Sequence, residues 1–176
     1  MTRIARPEPD EYAPFYAGYV ARVPAGVEPA DLMRRQIDAM RALVGGLDEA
    51  HAAARYAPGK WSVKEVVGHL GDAERVFAYR LLRIGRGDGT PLPAFDENAY
   101  VPAGEFGRRP MPELLDERNA ARRATLALVA GLPAAAWTRA GTVSGRLISA
   151  RALLYIIPGH VEHHLAVLRE RYGLGG

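Results

Sequence analysis

Apolar positions recur with a helical period through four long stretches of the chain, and prolines and glycines punctuate the boundaries between them. From Pro29 to Val44, residues Leu32, Ile37, Met40 and Leu43/Val44 form one stripe, with Pro29 suited to a first turn and Gly45-Gly46 to a stop. A second helix is expected to begin at Trp61-Ser62-Val63-Lys64-Glu65, because Ser62 followed three residues later by Glu65 is a capping box. Its apolar face runs through Val66, Leu70, Ala73, Phe77, Leu81 and Ile84 to Gly85. A third helix is read from about Met111 to Ala130, between Pro112 and Gly131. The last is read from about Ser149 to Tyr172, capped by Ser149 and closed by Gly173.

The connecting stretches add little regular structure. Residues 1–28 hold Pro7, Pro9, Pro14 and Pro24 with Tyr12, Phe15, Tyr16 and Tyr19 among them, a pattern expected to wrap the surface around one short helix near residues 10–20. Asp48–Ala53 suggests a short turn, and Ala140-Gly141-Thr142 a small hairpin-like segment. Residues 85–110 are rich in glycine and proline and show no sustained period, so they read as a long crossover loop, of a length that tends to be functional. The prediction is an all-α, single-domain four-helix bundle over residues 29–172.

Composition narrows the chemistry. With 176 residues, 48% apolar and 24% charged, the chain can bury one ordinary core. It has no cysteine, so any metal site must use His, Asp or Glu. The net charge is only +3 and arginines alternate with acids, as in Arg169-Glu170-Arg171, which argues against a nucleic-acid footprint. No apolar run reaches membrane-spanning length, and Met1 to Pro7 lack the apolar stretch of a signal peptide, so a cytoplasmic protein is expected.

Three of the five histidines fall in Gly159-His160-Val161-Glu162-His163-His164. Residues four apart on a helix share a face, so His160 and His164 can reach one ion. Helical phase places both beside the centre of the buried face, whereas His163 falls roughly 60° to the other side of His160. His51 and His163 read as surface or supporting residues, and Glu162 as surface. His69 lies at the margin of its helix's apolar stripe and is the candidate third ligand. Pro158 reads as a tolerated bend in the last helix or, together with the small Gly159, as a bend that opens room beside the pair.

These residues resemble the DinB-like superfamily of bacterial metal-binding four-helix bundles. The resemblance rests on Trp61-Ser62-Val63-Lys64-Glu65-Val66-Val67-Gly68-His69-Leu70-Gly71-Asp72-Ala73-Glu74, on Gly159 to His164, and on Phe95-Asp96-Glu97-Asn98-Ala99-Tyr100 in the long loop. It implies an up-up-down-down course, a homodimer, and one divalent ion, zinc or nickel, on His69, His160 and His164. It further implies a small-molecule substrate, with low-molecular-weight thiols used by some relatives.

An ion held by three neutral imidazoles keeps an open position, the catalytic style of zinc site. A metal-dependent transferase or hydrolase is therefore expected, with a non-enzymatic metal-binding stress-response or sensing module as the alternative. Candidate catalytic groups are Glu65 and Asp72, flanking His69, and Asp96 with Glu97 in the loop. Arg80, three turns beyond His69 on nearly the same line, is a candidate for an anionic substrate group.

Overall fold

A computed structural model describes residues 4–175. The N-terminal segment winds over the surface through two single 3₁₀ turns, Pro9–Glu11 and Pro14–Tyr16, and a short helix α1, Ala17–Ala21. Four long helices follow: α2, Pro29–Val44; α4, Val63–Gly85; α6, Met111–Gly131; and α7, Ala150–Tyr172. Between them lie two short helices, α3 (Glu49–Ala53) and α5 (Glu97–Ala103), and a hairpin of β1 (Ala140–Val143) and β2 (Arg146–Ser149).

The boundaries follow local chemistry. Pro29 opens α2, and Asp48 caps α3 by accepting from the His51 amide. At α4 the capping box is complete: Glu65 N–H donates to Ser62 Oγ (3.2 Å), and Ser62 N–H donates to the Glu65 carboxylate (2.6 Å). Ser149 caps α7, and Gly173 closes it at φ +68°, a left-handed conformation that suits glycine. The hairpin turns through Ser144 (φ 53°) and Gly145 (φ 74°), the paired positive angles that match strand twist in a two-residue turn.

The long helices pack in a ring, α2 against α6 and α7, and α4 against the same two. Their directions differ from the expected up-up-down-down course. The Tyr172 hydroxyl at the end of α7 donates to the Trp61 carbonyl just before α4, so these two helices are antiparallel. Gly71 of α4 lies against Arg118 of α6, and Gly85 against Leu132, so α4 and α6 run parallel. Arg122 reaches Met33 while Arg41 reaches Asp116, so α2 opposes α6. The course is up-down-down-up. Parallel neighbours cannot be joined by a tight turn, since a helix as long as α4 spans about 34 Å at 1.5 Å per residue. The segment between them therefore runs back along the bundle, and it carries α5 and a 3₁₀ turn (Phe106–Arg108) where a structureless loop was expected.

Two apolar clusters fill the bundle. One contains Met33, Phe77, Leu81, Leu153 and Ile157; the other contains Met40, Leu70, Leu115, Val161 and Leu165. A buried polar layer divides them. Arg122 Nε and Nη2 donate to the two carboxylate oxygens of Glu74 at 2.9 and 2.7 Å, and Nη1 donates to Gln36 Oε1 at 2.7 Å. Gln36 Nε2 in turn donates to the Pro158 carbonyl (2.9 Å) and to Glu162 (2.8 Å). This chain links all four long helices. It corrects two expectations: the buried face of α2 runs through Met33, Gln36, Met40 and Val44, with Leu32, Ile37 and Leu43 half-buried, and Glu162 is a half-buried acceptor.

Gly159 makes room for a neighbouring segment. A β-carbon there would lie 2.0 Å from the Tyr19 carbonyl oxygen, so the missing side chain admits the backbone of α1. Gly159→Ala should lower stability by about 1–3 kcal/mol through overpacking, where an unobstructed mid-helix change would raise it by about 1 kcal/mol. Thermal unfolding measures the sign. Glu74→Ala strands the fully buried Arg122 charge, and urea denaturation should show a loss of about 3–5 kcal/mol.

Candidate metal centre

His69 sits two turns into α4, and His160 and His164 sit on the face of α7 turned towards it. The three rings converge through their ε-nitrogens. His160 Nε2 is 3.1 Å from His69 Nε2 and 3.1 Å from His164 Nε2, and the three ligand-capable atoms lie within 4.8 Å of one another, as a shared metal ion would require. His69 and His160 are 4% and 6% exposed. His164 keeps more contact with solvent, although its Nδ1 is buried without a hydrogen-bond partner.

Aromatic rings hold this cluster in place. Trp61 packs on His69 with centroids 4.7 Å apart, and Tyr19 and Phe77 meet the His160 ring at 5.2 and 5.6 Å. Burial penalises the charged imidazolium, pulling His69 down to about 4 and holding His160 and His164 well below their ordinary value. Like charges on the neighbouring histidines, and Arg122 near His160, push in the same direction. All three are therefore neutral near pH 7, the form that ligates.

The cluster faces a cavity of about 350 Å³. Tyr16, Tyr19, Phe77, Arg80, Phe95 and Glu97 form most of its remaining wall, and the Ser144 turn of the hairpin closes one side. Leu92 fastens the crossover segment to that hairpin: its amide donates to the Thr142 carbonyl (2.8 Å) and its carbonyl accepts from the Ser144 amide (3.0 Å). This pairing sets Ala94 and Phe95 against the cavity.

The other expected site residues are distributed unevenly. Arg80 and Glu97 line the cavity. Glu65 is occupied by the capping box and by Arg55, at 2.7 Å. Asp72 is half-buried beside Arg75 (3.5 Å), and burial raises its pKa. Asp96 caps α5 by accepting from the Asn98 and Ala99 amides, at 2.9 and 3.3 Å. None of these three carboxylates lines the cavity. His51 is exposed and bonded to Asp48 (2.7 Å), whereas His163 lines the cavity and packs on Tyr19. Tyr16, Tyr19, Trp61 and Phe95 were missed as site residues. The aromatics spaced between prolines near the N-terminus were the signal available for the first two.

The model of the DinB superfamily matches residues 32–168. The chain belongs to the DinB superfamily. Among solved structures, this DinB-superfamily chain is similar to YfiT from Bacillus subtilis, described as a probable metal-dependent hydrolase with an unusual four-helix bundle topology. The two share 20% identity and a TM-score of 0.74, over 82% of this chain and 86% of YfiT. It is also similar to a mycothiol-dependent maleylpyruvate isomerase, at 16% identity and a TM-score of 0.65, over 79% of this chain and 58% of that one. At such identities the likeness is one of fold. No curated protein matches the sequence.

The neutral histidines make a stability prediction for metal-free protein. The unfolded chain takes up protons near pH 6.5, whereas folded His69 does so only near 4, so the unfolded state binds more protons between these values. Stability should therefore fall as pH drops from 7 to 5, above the range in which Glu11, held down to about 2 by Arg151, begins to contribute. Urea midpoints across that window check it, and a flat profile would contradict the buried neutral triad.

Proposed function

We propose that His69, His160 and His164 together bind one divalent metal ion, zinc or nickel, and that the protein is a metal-dependent enzyme of the thiol-dependent transferase or hydrolase type. The observation that carries this reading is the convergence of three buried neutral imidazoles on one point beside a cavity. The donor set fits such an ion. Three Nε2 atoms crowd together, and neutral imidazoles can satisfy only some of those contacts by donating a proton to one another. A bound ion accepts all three lone pairs at once.

Once held, the ion would supply a Lewis acid that depresses the pKa of a water or thiol and polarises an electrophile. The chain's own residues do the rest. Trp61, Phe77 and Tyr19 fix the imidazole planes and keep bulk water off their faces. His163, held below its ordinary pKa by burial, adds a further neutral ring to the cavity wall. The partner is a small molecule, a low-molecular-weight thiol among the options. Homodimerisation and a cytoplasmic location belong to the same proposal, the first carried by the family and the second by the sequence alone. The cavity favours an enzyme over a non-enzymatic metal-binding module, since a sealed ion would serve the latter equally well.

Elemental analysis of purified protein should find about one ion per chain, with His160→Ala and His69→Ala each losing most of it. Undiminished metal in both variants would remove the triad as the site. Metal-loaded protein is then screened against thiol and electrophile panels and hydrolysable esters and amides, and silence across all of them would favour the module.

A further inference from the structure

We infer that the cavity takes a small monoanionic ligand with an aromatic or apolar body, its carboxylate or similar oxyanion on Arg80 and its other end at the histidine cluster. The position of that other end rests on the function proposed above; the anion site on Arg80 does not.

Arg80 is 4% exposed and yet lines the cavity. Its Nη2 donates to the Pro93 carbonyl (2.9 Å), and the Tyr16 hydroxyl lies beside it. Among the described residues no carboxylate forms an ion pair with it, whereas buried Arg122 is held by both oxygens of Glu74. A guanidinium carries five donors, and burying its charge without an anion is costly. The group is also held rigidly: Phe77 and Phe95 lie 5.9 and 5.8 Å from Cζ, which fixes the guanidinium without neutralising it. A preorganised cation on a cavity wall, short of an acidic partner, is a receptor for an oxyanion.

The remaining wall sets the body and charge of the ligand. Phe77 bridges the two ends, its ring 5.6 Å from that of His160, so one small molecule can touch both. Tyr16, Tyr19 and Phe95 offer further aromatic surface, and about 350 Å³ accommodates a benzoate-sized molecule. Glu97 also lines the cavity and acts electrostatically on Tyr16 and Tyr19. Its negative charge disfavours a second anionic group there.

The test compares 4-fluorobenzoate with 4-fluorobenzamide by fluorine NMR, using zinc-loaded and metal-free full-length protein. The acid should bind at least about tenfold more tightly than the amide with or without zinc, as a charge-assisted hydrogen bond requires. Arg80→Met should abolish that preference, and Arg80→Lys should keep part of it. Equal binding of acid and amide, or binding of neither, overturns the inference. So does an acid preference that needs zinc and survives Arg80→Met, since the carboxylate would then sit on the ion. If circular dichroism shows Arg80→Met unfolded, a crystal structure of wild-type protein with 4-fluorobenzoate decides: a carboxylate on the Arg80 guanidinium supports the inference, and one placed elsewhere overturns it. Protein that takes up no metal refutes the metal-centre proposal alone, because metal-free protein still reports on Arg80.

Discussion

The bidentate pair between Arg122 and Glu74 lies at the middle of the bundle, on residues 0% and 3% exposed in their side chains. Neither charge would be tolerable there alone, and the effective penalty for a buried ion is several kcal/mol before compensation. Gln36 extends the pair to α2 and on to α7, where it bonds the Pro158 carbonyl and Glu162. That carbonyl lies two residues before His160. The register of α7 against α2, α4 and α6 is thus fixed next to the histidines, and two imidazoles on α7 meet one on α4 with Nε2 atoms 3.1 Å from His160. Apolar packing above and below is more permissive about sliding; a directional polar layer is not.

Beside this layer the core keeps buried polar atoms without partners. Arg118 is 1% exposed, is pulled down to about 9 by burial and by Arg122, and leaves Nη2 without a partner. Asn119 Nδ2 is also unpartnered. Such groups cost stability, and they lie on α6 beside the layer that positions the site. The up-down-down-up course contributes in another way. Because α4 and α6 run parallel, the chain must return along the bundle between them, and this return lays Phe95 and Glu97 against the cavity. The long connection is therefore wall as well as linker.

Legibility in the sequence varied with the range of the physics involved. The ends of α2, α4 and α7 were readable because Pro29, the Ser62–Glu65 box and Ser149 with Gly173 act within a few residues. The His160/His164 pair was readable because helical phase alone decides which side chains share a face. The buried face of α2 was misjudged at Gln36, since a polar side chain looks exposed until its acceptors on other helices are known. Glu65 carried two readings in the sequence, capping box and candidate catalyst, and the folded chain keeps the first. Asp96 was readable only as a chemistry-bearing carboxylate, yet it is consumed by amides at the start of α5.

The sequence by itself determined four long helices, the side-chain caps of α4 and α7, the absence of cysteine ligands and the histidine pair on α7. Each follows from local propensity, composition or a period of 3.6 residues. Tertiary structure alone decided the direction of the helices, the polar layer, the approach of His69 and the cavity wall drawn from α1, the crossover and the hairpin. These depend on contacts between residues far apart in the chain, such as Gln36 with Pro158, 122 positions on, and Gly159 with Tyr19. No local period encodes such pairings, because their energy exists only once the helices have packed.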